Sequence, residues 1–287
     1  MLPNRKRNEE ELAKRLMTSL DDFCRPVVFI DSGLGGIPYL LWAMENIKNE
    51  HFIYIADKKN FPYGVKTAGE LKKIILEVVD NAIKQFNPKL IVVACNTASV
   101  VAIEALRDTF EIPFVGVVPA IKPAASVSRN RIIGVLATER TIRDMYTQAL
   151  IDEFAFDCEV LRVPAKGIVD FVELEFVTAD KDQKIAAVKS EVDYCSSHGA
   201  DTIVLGCTHF VFLKKEISEL AGPNVSVIDS RDGVGHQMQR ILRYIRCKEK
   251  FCCENTKTEF YHTGKDSYNA EYVRFLEDLG LSFCGEL

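Results

Sequence analysis

The sequence has no apolar run approaching the roughly 18 residues that a membrane-spanning helix needs. Its longest, Ile112 to Ile121, is broken by Pro113 and Pro119. The basic residues near the start are followed by no apolar core, so no secretory signal is expected there. There is no Cys-x-x-Cys repeat. The nine cysteines are an odd number that includes the adjacent Cys252 and Cys253, and they suit neither a disulfide framework nor a zinc site. A basic surplus is also missing: 36 Lys and Arg against 41 Asp and Glu leave a formal net charge of -5. Nucleic acid and anionic membrane are therefore not expected partners. What remains is a 287-residue chain, 47% hydrophobic and 27% charged. That composition fits a soluble globular protein with mostly free thiols in a reducing cytoplasm.

Two stretches fit one template: Ile91-Val92-Val93-Ala94-Cys95-Asn96-Thr97-Ala98 and Ile203-Val204-Leu205-Gly206-Cys207-Thr208-His209. Each is a short apolar run, then a small residue, then Cys, then hydroxyl or amide side chains. Runs of this length read as strands buried on both faces. The cysteine then falls at the strand's C-terminal end, where open α/β sheets place their ligand crevice. A single buried cysteine is ordinary. The same position in two copies of a strand–loop–helix unit suggests a pair.

The rest of the chain supports a repeat. Leu12, Leu16, Leu20 and Phe23 follow helical spacing within residues 1–24, which reads as an amphipathic helix or as a frayed extension. Val27–Ile30 reads as a strand entering Asp31-Ser32-Gly33-Leu34-Gly35-Gly36. That loop matches neither Gly-x-Gly-x-x-Gly nor the P-loop spacing. Its glycines are expected to let backbone N–H groups approach a small anion such as a carboxylate. Phe52–Ala56 is a second strand, followed by Asp57 and the turn Phe61-Pro62-Tyr63-Gly64. Residues 69–86 are an amphipathic helix, and Asn96 and Thr97 are suited to cap the helix after Cys95. From Arg131 the pattern restarts, with Thr138 falling over Ser32 and Cys207 over Cys95. Ile168 to Glu173 is an apolar stretch carrying acids, and Glu173 reads from sequence alone as a solvated carboxylate. The predicted fold is α/β, with two pseudo-symmetric domains, each a mostly parallel sheet flanked by helices. The active site is expected in the cleft between them. The expected domains are residues 1–120 with 230–287, and residues 121–229.

If Cys95 and Cys207 line opposite walls of one cleft, a ligand there meets a thiol on each face. That suits inversion at carbon, one sulfur removing a proton and the other delivering one. A free thiol ionises at about pH 8.5, and a helix N-terminus lowers this. Ser32, Asn96, Thr97 and Thr208 could stabilise the carbanion through hydroxyl and amide groups. Asp31 and His209 would polarise the nearer cysteine or relay its proton. Their plain readings are a cap and a helix-start histidine bonded to backbone.

The Asp31-Ser32-Gly33-Leu34-Gly35-Gly36, Phe61-Pro62-Tyr63-Gly64, Ala94-Cys95-Asn96-Thr97-Ala98, Gly134-Val135-Leu136-Ala137-Thr138 and Leu205-Gly206-Cys207-Thr208-His209 motifs, in this order, resemble those of glutamate racemases. Aspartate racemases and maleate isomerases of the wider superfamily share the two-cysteine layout. The resemblance implies interconversion of L- and D-glutamate, a peptidoglycan building block, with no cofactor and no metal. It implies that Cys95 deprotonates the D-isomer and Cys207 the L-isomer, and that Glu173 orients His209. Asp31, Ser32, Tyr63, Gly64, Asn96, Thr97, Thr138, Thr208 and His209 would hold glutamate. Val211 stands where members commonly carry proline, so the following helix is expected to start differently. Some members with extended N-termini respond to a cell-wall precursor as activator, and members show more than one dimer geometry, which leaves a homodimer open. An aspartate-specific or isomerase member and a non-catalytic amino-acid-binding protein are the competing readings.

Overall fold

In the computed structural model the described residues are 9–16, 24–245, 257–265 and 268–287. The chain begins with helix α1 (Glu9–Leu16) and continues with β1 (Val27–Asp31), α2 (Ile37–Asn46) and β2 (Phe52–Ala56). Two short 3-10 turns, Lys58–Asn60 and Tyr63–Val65, lead to α3 (Ala68–Phe86), β3 (Leu90–Val93), α4 (Asn96–Thr109) and β4 (Phe114–Gly116). Next come α5 (Ile121–Val127), β5 (Ile132–Ala137), α6 (Glu139–Arg143), α7 (Met145–Phe154), β6 (Glu159–Pro164), α8 (Lys166–Leu174) and α9 (Lys181–Ser197). Strand β7 (Thr202–Leu205), a 3-10 turn (Thr208–Leu213), α10 (Lys214–Ala221) and β8 (Ser226–Ile228) complete that stretch. The chain ends with α11 (Arg231–Ile245), β9 (Thr258–His262), α12 (Ala270–Asp278) and β10 (Leu281–Glu286).

The described residues form two compact units, one holding Val118–Ser230 and the other the segments up to Val117 and from Arg231. The larger unit carries a six-stranded sheet in the order β10-β9-β2-β1-β3-β4. The smaller carries four strands in the order β6-β5-β7-β8. Every pairing is parallel. All residues of β1, β2 and β3 are buried, as two-sided coverage by helices requires. Ile30, Ile55 and Ile91 pack with Leu71 and Ile75 of α3 and Leu106 of α4. Each such burial contributes about 1.5–3 kcal/mol. In the smaller unit, Ile133, Val135 and Val204 pack with Ile121, Leu150 and Ile151.

Both sheets repeat one scheme. The first strand of each copy, β1 or β5, lies between the second and third, so the strand order reverses beside it. Open α/β sheets bind ligands at this reversal, beyond the C-terminal strand ends. The repeat extends to single hydrogen bonds. Ala94 N–H donates to Ile30 O at 2.8 Å, and Gly206 N–H donates to Leu136 O at 2.7 Å. Likewise Asp57 N–H donates to Asp31 O at 2.7 Å, and Ala165 N–H to Ala137 O at 3.0 Å.

Several local expectations are corrected. Asn96 and Thr97 do not cap α4: Cys95 occupies the cap position, no side chain caps there, and both residues lie inside the first turn. The stretch from Ile168 to Glu173 belongs to helix α8 and buries Ile168, Val169, Phe171, Val172 and Glu173. The region around Val211 does depart from a simple helix start, as expected: a 3-10 turn follows Cys207, and the α-helix starts at Lys214. Near the start, helix α1 buries Leu12 and Ala13, while Leu20 and Phe23 lie outside the described residues. Among the described residues, no helix is long and apolar enough to cross a membrane.

Candidate active site

Each unit gathers its own share of the predicted residues at the strand ends beside the reversal. In the larger unit these are Asp31 and Ser32 after β1, Tyr63 and Gly64 in the turn beyond β2, and Cys95, Asn96 and Thr97 after β3. In the smaller unit they are Thr138 after β5, Glu173 in α8, and Cys207, Thr208 and His209 after β7. The two cysteines share one backbone conformation. Cys95 has φ -134° and ψ 122°, and Cys207 has φ -138° and ψ 137°. Both are 5% exposed, and each opens the helical turn that follows it. Neither is in a disulfide.

Around Cys207 the groups form a line. His209 Nδ1 lies 3.8 Å from Cys207 Sγ, and His209 Nε2 lies 2.8 Å from Glu173 Oε1. The Glu173 side chain is 6% exposed and that of His209 3%, so the carboxylate is not the solvated acid its sequence context suggested. Burial opposes a charged imidazole at His209. Its hydrogen bonds and charge interactions with Cys207 and Glu173 outweigh that and hold its pKa well above the ordinary histidine value. A protonated His209 can hand a proton toward the sulfur while Glu173 fixes the ring. Thr138 is partly committed elsewhere: its hydroxyl caps α6, accepting from Thr141 N at 3.2 Å.

Around Cys95 the arrangement differs. Asp31 is fully buried and its Oδ1 accepts from Ser32 N at 2.5 Å and Ser32 Oγ at 3.2 Å. Tyr54 pins the glycine loop, donating to Gly33 O at 2.7 Å and accepting from Gly36 N at 3.0 Å. The N–H groups of Ser32 and Gly36 are thus used inside the loop, so these two are not among those open to an anion. A Cβ at Gly36 would lie 2.7 Å from Ala94 Cβ, so this glycine serves close packing. Asn96 is 1% exposed, yet neither atom of its amide has a hydrogen-bond partner. An unpaired buried amide costs about 1–3 kcal/mol, so this one, next to a strand-end thiol, calls for an explanation beyond packing.

Sequence reasoning passed over Asp57, which accepts the Tyr63 hydroxyl at 2.7 Å. Its position directly after a strand was the available signal. Burial, and next the Asp57 carboxylate, hold the Tyr63 phenol well above its ordinary pKa, with smaller contributions from Cys95 and Asp31. Tyr63 is therefore a neutral group and not a proton acceptor. Among the described residues, no group of three or more His, Cys, Asp or Glu could hold a metal ion.

Two parallel α/β sheets of one strand order each lead into a buried cysteine beyond the C-terminal end of a strand, beside the reversal where open sheets of this class bind ligands. The sequence profile of the Asp/Glu/hydantoin racemase family matches residues 44–232. A glutamate racemase of Glaesserella parasuis is 34% identical over 241 residues, covering 80% of this chain and 89% of its own. One from Clostridium acetobutylicum is 38% identical over 218 residues, covering 76% and 84%. Among solved structures, Escherichia coli glutamate racemase in complex with L-glutamate and the activator UDP-MurNAc-Ala superposes with a TM-score of 0.82. It is 30% identical and covers 92% of this chain and 98% of its own. A glutamate racemase isoform of Bacillus anthracis gives 0.76 at 26% identity, covering 90% and 96%. The chain belongs to the Asp/Glu/hydantoin racemase family.

Proposed function

We propose that this racemase interconverts L- and D-glutamate without a cofactor, Cys95 and Cys207 acting as the two bases at Cα. One observation carries the reading: the two cysteines occupy the same position, with the same backbone angles, in two copies of one sheet. Each stands where such sheets bind ligands. Inversion needs a base on one face of Cα and an acid on the other, and a duplicated strand end supplies one group of each kind. Cys95 would deprotonate the D-isomer and Cys207 the L-isomer, with His209 and Glu173 serving the latter. Asp31, Ser32, Tyr63, Gly64, Asn96, Thr97, Thr138 and Thr208 would hold the substrate and the carbanion. The names of the relatives support glutamate as that substrate.

The product would feed peptidoglycan synthesis in the cytoplasm, where the six cysteines outside any disulfide among the described residues would stay reduced. A UDP-muramyl precursor of the kind bound by the Escherichia coli relative is the activator to add, and a homodimer is the assembly to look for by sedimentation. The test is racemisation of L-glutamate with no pyridoxal phosphate present. Cys95→Ala and Cys207→Ala should each lower the rate at least about a hundredfold, the ordinary worth of a proton-transfer group. Activity on L-aspartate alone would keep the family and reject the substrate. A full rate in either cysteine variant would reject the chemistry.

A further inference from the structure

Asp57 is a junction that the two-thiol chemistry leaves unexplained. It follows β2 directly and is fully buried. Its Oδ2 accepts from Tyr63 Oη at 2.7 Å and Asn60 Nδ2 at 2.9 Å. Its Oδ1 accepts from Thr263 Oγ1 at 2.5 Å and again from Asn60 Nδ2 at 3.1 Å. A buried carboxylate persists where hydrogen bonds replace its water, and here three side chains do so. The Asp57 N–H is tied to Asp31 O, and the N–H of Thr263 to Ala56 O at 2.9 Å. Thr263 Oγ1 also accepts from Lys59 N at 3.2 Å.

Three segments therefore meet at one residue: the Tyr63-Gly64 turn and the chain leaving β9 at its carboxylate, and the end of β1 at its backbone N–H. Thr263 lies beyond residues 44–232, the part matched by the family profile. The second copy of the sheet has no counterpart, because Ala165 makes the backbone hydrogen bond that corresponds to that of Asp57. The carboxylate is thus a feature of the Cys95 half alone and not of the shared fold.

We propose that Asp57, backed by Thr263, is a positioning residue that sets the Tyr63-Gly64 turn for substrate through the Tyr63 hydroxyl. Tyr63 is 2% exposed, so its ring is an anchor and its substrate contacts fall to the turn's backbone. The inference depends on the glutamate-racemase reading, since it needs Tyr63 and Gly64 at the substrate. Because the turn holds substrate, its misplacement should raise KM for glutamate more than it lowers kcat. Displacements of about an ångström cost catalysis heavily.

The experiment measures kcat, KM and melting temperature for Asp57→Asn, Tyr63→Phe, Thr263→Val and the Asp57→Asn/Tyr63→Phe double variant. Asp57→Asn and Tyr63→Phe should each lower kcat/KM about tenfold or more, mainly through KM, with a smaller loss for Thr263→Val. The double variant should be no worse than the poorer single, because both act through one hydrogen bond. If Asp57→Asn fails to fold, Tyr63→Phe and Thr263→Val decide, since neither removes a charge; Tyr63→Phe takes away one hydrogen bond to Asp57, and Thr263→Val one to Asp57 and one from Lys59 N. Wild-type kcat/KM in those two variants, or losses that multiply in the double variant, would overturn the positioning role while leaving the racemase reading intact. A wild-type chain that racemises no glutamate overturns both.

Discussion

His209 is held between a sulfur and a carboxylate, and its raised pKa makes its proton part of the fold. A histidine whose pKa rises on folding stabilises the protein fully below its unfolded value of about 6.5. That stability is lost as pH climbs through the raised folded value. Removing the Glu173 carboxylate weakens the hold on that proton. Glu173→Gln should therefore melt below wild type at mildly acidic pH, with the gap closing at alkaline pH. Melting curves across that range check it, and a gap that widens with pH would contradict it. Asn96 makes the opposite case. Its amide has no partner in the protein, so Asn96→Ala should leave the melting temperature unchanged or raise it while raising KM for glutamate. Coupled loss of stability and activity would show that the amide is structural.

At the scale of elements, α11 returns the chain to the larger unit against α2, and the contact turns on Gly235. A Cβ there would lie 2.2 Å from the Trp42 ring, which also donates from Nε1 to Asp232 Oδ1 at 2.8 Å and meets His236 edge-on. Gly235→Ala should cost about 1–3 kcal/mol by overpacking. Trp42 is the only tryptophan, so its fluorescence should shift in the folded variant. An unchanged emission and melting temperature would refute the contact. The strands that lead to Asp31, Cys95 and Cys207 were legible because fully buried strands read as unbroken apolar runs. The order of the chain's motifs also exposed the duplication. Strand β6 was not legible, since exposed Glu159 and Arg162 interrupt its apolar residues and Glu159 falls on the same face as buried Leu161 and Val163, which breaks a clean alternation. Nor was β10, which pairs with β9 on one side only and buries just Leu281 fully. Glu173 looked solvated because burial within α8 depends on which elements pack over it, and no local pattern encodes that. Asp57 was hidden for a related reason: its partner Thr263 lies 206 positions away.

Across the whole molecule, two sheets of one order end in two cysteines of one conformation, and their surroundings differ. Cys207 has a histidine and a glutamate in line with it, whereas Cys95 has a buried aspartate loop and a neutral tyrosine nearby. Duplication accounts for the pair, and on the proposed mechanism the different supporting side chains would fit each thiol to one enantiomer. The central claim is that two bases share the reaction, and the early fate of the label in D₂O tests it most directly. Each thiol exchanges its proton with solvent between turnovers. Two bases should give D-glutamate carrying deuterium at Cα from the first turnovers, while the unreacted L-glutamate keeps its proton. Deuterium entering both isomers equally at the outset, as one base serving both faces would give, would contradict the account.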